Sequence, residues 1–321
     1  MKTVIIDNSL SVNTLADNVD TKYIYAYLEA LAQAGIKYAE IDFRTAMLMP
    51  DLPKGIGYIF RLIDPMFLDM AEAFNYDYLL VTLSNLKNGI KTDVPVMLEL
   101  PATEKPPRPA VIYASERIDG TIAVVRLVSN FKLMKPEEAA SYVNILKNNI
   151  PIPIDLCPMN TAKTALDSAL KFADARVDSI TMTMGLSEKF ASIEEFLLTL
   201  LSVYHVVPNE FNIPALCKAM IYHRRIFKHS EGDSFSLLMN RLNKDITNLK
   251  NADTGERVHI GLAMRETHAL RKQFISAFER MAEKEDIPED IAGELMDAVR
   301  HFDMSLYNAA LNNKTGKGLL N

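Results

Sequence analysis

Cysteine is scarce. The 321-residue chain has two, Cys157 and Cys217. Two thiols cannot build a disulfide framework, so the expected compartment is a reducing cytoplasm. Histidine is missing from the first 204 residues; all six (His205, His223, His229, His259, His268 and His301) come later. A metal site or general base made from imidazoles of that first part is excluded. Chemistry there has to use carboxylates, Lys, Tyr, Ser, Thr or Cys157. Positive charge is in deficit, with 35 Lys and Arg against 41 Asp and Glu and a net charge of −6. No basic run exists, which argues against a nucleic-acid partner. No stretch approaches the roughly 18 apolar residues of a membrane span. Residues Met1–Asp7 turn polar too soon for a signal peptide, and none is expected.

What is present is ordinary for a globular protein, 49% hydrophobic and 24% charged. The length suits one large domain with an appendage. Thr3–Ile6 reads as a buried strand, Thr21–Ala34 as a helix stopped by Gly35, and Lys37–Asp42 as the next strand. Strand–helix–strand at this spacing marks a parallel sheet. Gly57–Leu62 and Asp77–Leu83 continue the strands, with a helix over Asp64–Phe74 between them. The pattern then weakens. Val94–Leu100 is a strand, and Ser84–Ile90 has room for only a short helical turn. Pro101–Pro109 holds four prolines. Ala110–Ala114 and Thr121–Val128 flank Ser115–Gly120 in the manner of a hairpin. Eight complete strand–helix units are therefore not expected, and the middle of the fold reads as abbreviated.

Regularity returns at Pro136, which opens a helix with Glu137 and Glu138 at the positive end of its dipole. Strands over Ile152–Leu156 and Ser179–Met184 follow, with helices from Thr161 to Phe172 and over Ile193–Tyr204. The rest is helical: Ile213–Phe227, Phe235–Leu249, Thr267–Glu285 and Pro288–Phe302. The stretch Pro151-Ile-Pro-Ile-Asp-Leu-Cys-Pro-Met-Asn160 is an apolar strand that opens into a helix. In a parallel α/β protein such strand ends carry the ligand.

Residues 122–204 resemble the last third of the catalytic barrel in homocitrate and isopropylmalate synthases. These enzymes are related to hydroxymethylglutaryl-CoA lyase and 4-hydroxy-2-oxovalerate aldolase. The resemblance rests on Val128-Ser-Asn-Phe-Lys-Leu-Met-Lys-Pro-Glu-Glu-Ala139, on Ile152–Asn160 and on Ser179–Leu201. At the N-terminus, Asp7-Asn-Ser-Leu-Ser-Val-Asn13 is similar to the family's Asp-Thr-Thr-Leu-Arg-Asp-Gly. Gly35–Ile41 is similar to its second strand, and Ile260-Gly261 with His268-Ala-Leu270 to its accessory region. The resemblance implies a (β/α)8 TIM barrel over residues 1–208 and a mainly helical region over 209–321. It also implies carbon–carbon bond chemistry on acyl-CoA or 2-oxo acid substrates, and a homodimer.

The departures fall on the chemistry. The family's enolate-stabilising Arg and metal-binding Asp fall on Ser11 and Val12. Its two histidine ligands fall on Cys157 and Met159, and an acidic residue of that motif on Thr161. A divalent cation wants hard oxygen or imidazole donors, which Val and Met are not. No metal or other cofactor is therefore expected, and the metal-dependent reaction is not expected either.

Several side chains remain candidates. Asp7, Glu40 and Asp42 stand near strand ends and suit acid–base work, or else they cap loops and pair with Arg44 or Lys189. His268 is a catalytic candidate by resemblance, with a structural role the alternative. Ser11, Cys157, Met159, Asn160, Glu188 and Lys189 are expected to line the pocket. Cys157 and Met159 form a soft-metal pair or simply pack. Glu104-Lys-Pro-Pro-Arg108 keeps a family spacing, and Tyr222-His-Arg-Arg225 suits an anionic tail or a solvated helix face. Two function classes stay open. One is a divergent, metal-independent acyltransferase or aldolase/lyase-type enzyme. The other is a non-catalytic barrel that binds a small carboxylate, a CoA ester or a protein partner. Elemental analysis of the purified protein is expected to give far less than one divalent ion per chain. One Zn²⁺ or Mn²⁺ per chain overturns this reading of the motif positions.

Overall fold

A computed structural model describes residues 2–203 and 212–227, apart from short stretches at 17, 50, 75, 103–105, 132–133, 161–163 and 186–188. These residues belong to one compact unit, Met1–Lys228. The helix Ile213–Ile226 is part of it, so the unit runs past the expected boundary at 208. The elements expected beyond residue 228, His268 among them, lie outside the described residues, as do Glu104, Thr161 and Glu188.

Eight parallel strands close into a barrel: β1 (Val4–Asp7), β2 (Tyr38–Ile41), β3 (Gly57–Arg61), β4 (Tyr78–Thr82), β5 (Val96–Pro101), β6 (Ile122–Ser129), β7 (Ile154–Pro158) and β8 (Ser179–Met182). Their order round the barrel is β1, β8, β7, β6, β5, β4, β3, β2. Closure comes from β1, which pairs with β2 on one side (Ile6 opposite Tyr38) and β8 on the other (Ile6 opposite Thr181). This is the (β/α)8 architecture.

The expected hairpin in the middle of the fold is corrected. Every strand is present, and β5 pairs with β6 in parallel over Val96–Pro101. No hairpin joins them. Ala110–Ala114, read from sequence as extended, lies inside the helix Arg108–Ser115. Pro107 and Pro109 flank its start, where a missing N–H removes no helical hydrogen bond. A five-residue apolar run is ambiguous between strand and helix by length alone. Only the outer layer is shortened. Between β4 and β5 the crossover is a 3-10 segment, Leu83–Asn88, that ends at Gly89 with φ 74°.

The helices that position the barrel are conventionally bounded. In α1 (Thr21–Gln33) the Asp20 carboxylate caps the first turn, accepting from the Lys22 amide at 3.0 Å. At its other end Gly35 has φ 88°, the Gly35 amide donates to the Ala32 carbonyl, and the Ile36 amide donates to the Leu31 carbonyl. That is a Schellman closure, and it needs the left-handed residue. Pro136 opens the helix Pro136–Asn149, and the Glu138 carboxylate reaches back to the Lys135 amide at 2.8 Å.

Inside the barrel the side chains form two levels. The lower level is apolar, with Ile6, Ile59, Leu80, Met97 and Val124 packed together. The upper level is charged and lies toward the C-terminal ends of the strands. Ile59→Ala removes a fully buried side chain from the axis, where neighbouring strands cannot collapse inward. Urea unfolding is expected to show a loss of about 2–5 kcal/mol; a loss below about 1 kcal/mol contradicts this packing.

Candidate binding site at the barrel mouth

Side chains two residues apart on a strand share a face. The residues that follow the apolar level on the inner face are therefore Glu40, Arg61, Glu99 and Arg126, and these are charged. Arg126 and Glu40 are fully buried. Arg126 donates through Nε to Asp155 Oδ2 at 2.6 Å and through Nη1 to Glu40 Oε2. Arg61 donates through Nε to Glu40 Oε1 and grips Glu99 with both terminal nitrogens, at 3.0 and 2.7 Å. Asp155 also accepts from Ser179 Oγ at 2.9 Å and Thr181 Oγ1 at 2.6 Å. Two guanidinium groups thus bind three carboxylates across five strands.

The electrostatics follow from this pairing. Burial pushes the Glu40 carboxyl up, but Arg61 and Arg126 outweigh it and hold the group down at about 2. Burial works against the charge on Arg126 as well, and Glu40 and Asp155 overcome it.

Above this level a cavity of about 310 Å³ opens at the mouth. Ser11, Val12, Arg61, Glu99, Val128, Cys157, Lys189 and Phe190 line it. Ser11 Oγ donates to Glu40 Oε1 at 2.5 Å, and so ties the cavity wall to the charged level. Arg61 and Glu99 keep 20% and 16% of their side chains exposed, which makes their pair the polar floor that a ligand meets.

The expected site residues divide accordingly. Ser11, Cys157 and Lys189 line the cavity. Met159 and Asn160 lie beside it instead. Met159 bridges to Phe190, and the Asn160 amide donates to the Lys189 carbonyl at 2.7 Å, which fixes the rim. Glu40 reaches the cavity only through Ser11 and Arg61. Asp42 is buried and caps the helix Phe43–Leu48, accepting from the Arg44 and Thr45 amides and pairing with the Arg44 side chain. Asp7 is also fully buried, away from the cavity lining. It accepts from Ser9 Oγ at 2.5 Å and Tyr27 Oη at 2.9 Å. Asp7, Glu40 and Asp42 therefore do not converge on one pocket.

Sequence reasoning missed four of the lining residues, Arg61, Glu99, Val128 and Phe190, and had Val12 only as a motif position. It also missed a second polar cluster behind β1 and β8. There Ser9 meets Thr183 and the Met184 amide, Asp7 accepts from Ser9 and Tyr27, Glu194 accepts from the Gly185 amide, and His223 lies beside Tyr27. The expected solvated face over Tyr222–Arg225 is corrected in its first half: Tyr222 and His223 are buried at 8% and 2% exposure, while Arg224 is exposed and Arg225 half-buried. The helix Ile213–Ile226 packs against α1, and the His223 ring lies tilted 4.5 Å from the Phe227 ring and 5.8 Å from the Tyr27 ring, centre to centre. A Cβ on Gly185 would come within 2.6 Å of the imidazole, so only glycine allows the approach. No histidine precedes residue 205 in sequence, but one reaches the top of the barrel.

The donor set does not fit a divalent cation. Val12 offers no donor, and the buried thiol of Cys157 is pushed well above its ordinary range by desolvation. Glu40, Glu99 and Asp155 already serve the arginines. Among the described residues no group of three or more His, Cys, Asp or Glu side chains is arranged to hold a metal.

Comparison with solved structures finds barrels of the same kind. The chain matches the HMG-CoA lyase of Bacillus subtilis with a TM-score of 0.50 and 16% identity, over 70% of this chain and 92% of that one. It matches hydroxymethylglutaryl-CoA lyase of Pseudomonas aeruginosa with a TM-score of 0.54 and 11% identity, over 74% and 98%. At these identities the likeness is one of fold. No family model and no curated protein sequence matches the chain.

Stability should pass through a maximum in mildly acid solution. Burial raises Asp7 from 3.8 to about 6 and Glu194 from 4.5 to about 7. Raised carboxyls contribute stability below their unfolded values and lose it as pH rises through 6 and 7. Glu40 is lowered from 4.5 to about 2, so its contribution is lost as pH falls below 4.5 toward 2. The Asp7 loss begins at pH 3.8, the Glu194 loss at pH 4.5, and the Glu40 gain is complete by pH 4.5, so urea midpoints are expected to peak between pH 3.8 and 4.5 and to fall on either side. In Asp7→Asn the fall up to pH 6 should flatten, and in Glu194→Gln the fall from pH 4.5 to 7. A midpoint that climbs steadily from pH 5 to 8 refutes the assignment.

Proposed function

We propose that the chain is a divergent barrel of the carbon–carbon lyase, aldolase and acyl-CoA synthase lineage whose mouth binds a small carboxylate without a metal. The observation that carries the reading is the cavity floor. Where the resemblance leads one to expect a metal, the cavity has Val12 and Cys157, and its cationic groups are the Arg61 guanidinium and the Lys189 ammonium. Both suit a carboxylate, Lys189 as the exposed charge at the rim and Arg61 as a guanidinium whose fork is already on Glu99. The cavity volume of about 310 Å³ suits the acid itself or the acyl end of a CoA ester.

Within this proposal, binding is favoured over catalysis. The thiol of Cys157 is held protonated, and Asp7 and Asp42 are occupied away from the cavity. If the barrel is a catalyst, Glu99 is the carboxylate placed to move a proton at the ligand, in aldolase-type or acyl-transfer chemistry. A soluble cytoplasmic homodimer is part of the same proposal.

A thermal-shift screen of 2-oxo acids, hydroxy acids and acyl-CoA esters tests it. A ligand held by the native state alone, at about a hundred times its Kd, raises the melting point by several degrees. Lys189→Glu, an exposed change at the rim, is expected to lower affinity for the acid at least tenfold while leaving the unliganded melting point unchanged. No shift with any member of the screen would refute the proposal.

A further inference from the structure

The helix Ile213–Ile226 reaches a cluster of buried titratable groups that the cavity does not use. Asp7 of β1 and Glu194, at the start of the helix Ile193–Val203, are both 0% exposed. Asp7 accepts from Ser9 Oγ, from Tyr27 Oη and, at 3.3 Å, from the Met184 amide. Glu194 accepts from the Gly185 amide at 3.0 Å through Oε2, and its buried Oε1 has no hydrogen-bond partner. The Ser192 hydroxyl and the Glu195 carboxylate also face Glu194. Burial raises the Tyr27 phenol and the charges of Asp7 and Glu194 add to it, so Tyr27 faces both carboxyls. The His223 ring closes the cluster from the side of the helix, against Gly185 and Tyr27. Arg224 and Arg225 follow it, exposed and half-buried.

The same cluster fastens the segment that supplies the cavity rim. Ahead of that segment the Met184 amide donates to Ser9 Oγ at 2.8 Å and the Gly185 amide donates to Glu194. Behind it the Ile193 amide donates to the Thr183 carbonyl at 2.9 Å, and the Thr183 amide donates to the Ala191 carbonyl at 3.0 Å. Lys189 and Phe190, two of the cavity-lining residues, lie between these ties. One group of side chains thus holds both the helix and the rim.

We propose that this cluster is a proton-operated latch, closed on the helix Ile213–Ile226 and on the rim while Asp7 and Glu194 are neutral, and released when they ionise. The direction follows from burial, which disfavours the charged form of a carboxyl. Burial raises Asp7 to about 6 and Glu194 to about 7, whereas a carboxyl in water ionises at about 4. Between those limits the open form sheds protons that the closed form keeps. Each pH unit then favours opening by up to about tenfold per carboxyl, and the gain levels off above pH 7. Glu40, held low by Arg61 and Arg126, is ionised throughout this range and takes no part. The latch does not depend on what the mouth binds.

Hydrogen exchange of the full chain, read by mass spectrometry between pH 5 and 8 and divided by the intrinsic rates, tests it. Opening of residues 213–226 and of residues 189–193 is expected to rise together by at least about tenfold from pH 5 to 7, while β3 and β5 stay protected. In the double variant Asp7→Asn with Glu194→Gln the rise should fall below about twofold. Gly185→Ala, whose Cβ would meet the His223 imidazole at 2.6 Å, should open both segments at every pH. The latch is refuted if the two segments open separately, if they open only together with β3 and β5, or if their opening does not change with pH. That comparison within the unaltered protein needs no variant to fold. A folded double variant that keeps the full rise refutes it equally.

Discussion

The guanidinium of Arg126 is the constraint on which the upper half of the barrel depends. It is the largest fully buried side chain among the described residues, and it stands at the axis between Asp155 and Glu40. A charge withdrawn from water costs several kcal/mol unless its partners match it closely. The structure meets this with carboxylates from two strands and with hydroxyls that satisfy the far side of Asp155. Arg61 repeats the device one strand pair away and shares Glu40. Removing one member would strand the others, so these five side chains behave as a unit.

That unit shapes the mouth. Its exposed edge, the Arg61–Glu99 fork, becomes the cavity floor, and its hidden edge leaves part of Arg126 unmatched. Apolar strand residues below it supply the rigid base. Short loops above it, fixed by Ser11 and by the bridge of Met159 to Phe190, supply the walls. The same barrel end carries a second cluster around Asp7 and Glu194, and the returning helix places His223 over it. The two clusters differ in character. One sets guanidinium groups against carboxylates. The other holds carboxyls that burial drives toward their neutral form.

Much of this was legible in the sequence. Strand-length runs alternating with helical patterns placed strands at 3–6, 37–42, 152–156 and 179–184, close to the observed 4–7, 38–41, 154–158 and 179–182. Gly35 and Pro136 marked helix ends by their backbone chemistry alone. The Pro-rich middle was not legible, since proline is compatible with either a loop or a helical first turn, and Ala110–Ala114 is too short for periodicity to decide. Asp42 and Arg44 formed one of the pairs that the sequence left open against a catalytic role.

The sequence by itself determined that this is a parallel α/β chain and that the positions of an expected metal site hold Val12, Cys157 and Met159 instead. Residue type at a strand end is a local property, and it reads directly. Only the tertiary structure decided which side chains meet at the barrel mouth. Arg61, Glu99, Arg126 and Asp155 lie on four strands far apart in sequence, and nothing local relates them. Closing the barrel brings them within hydrogen-bond distance. The same closure turns His223, distant in sequence, into a neighbour of Tyr27. Contacts across a barrel axis depend on strand order and register, which are set by the whole chain at once.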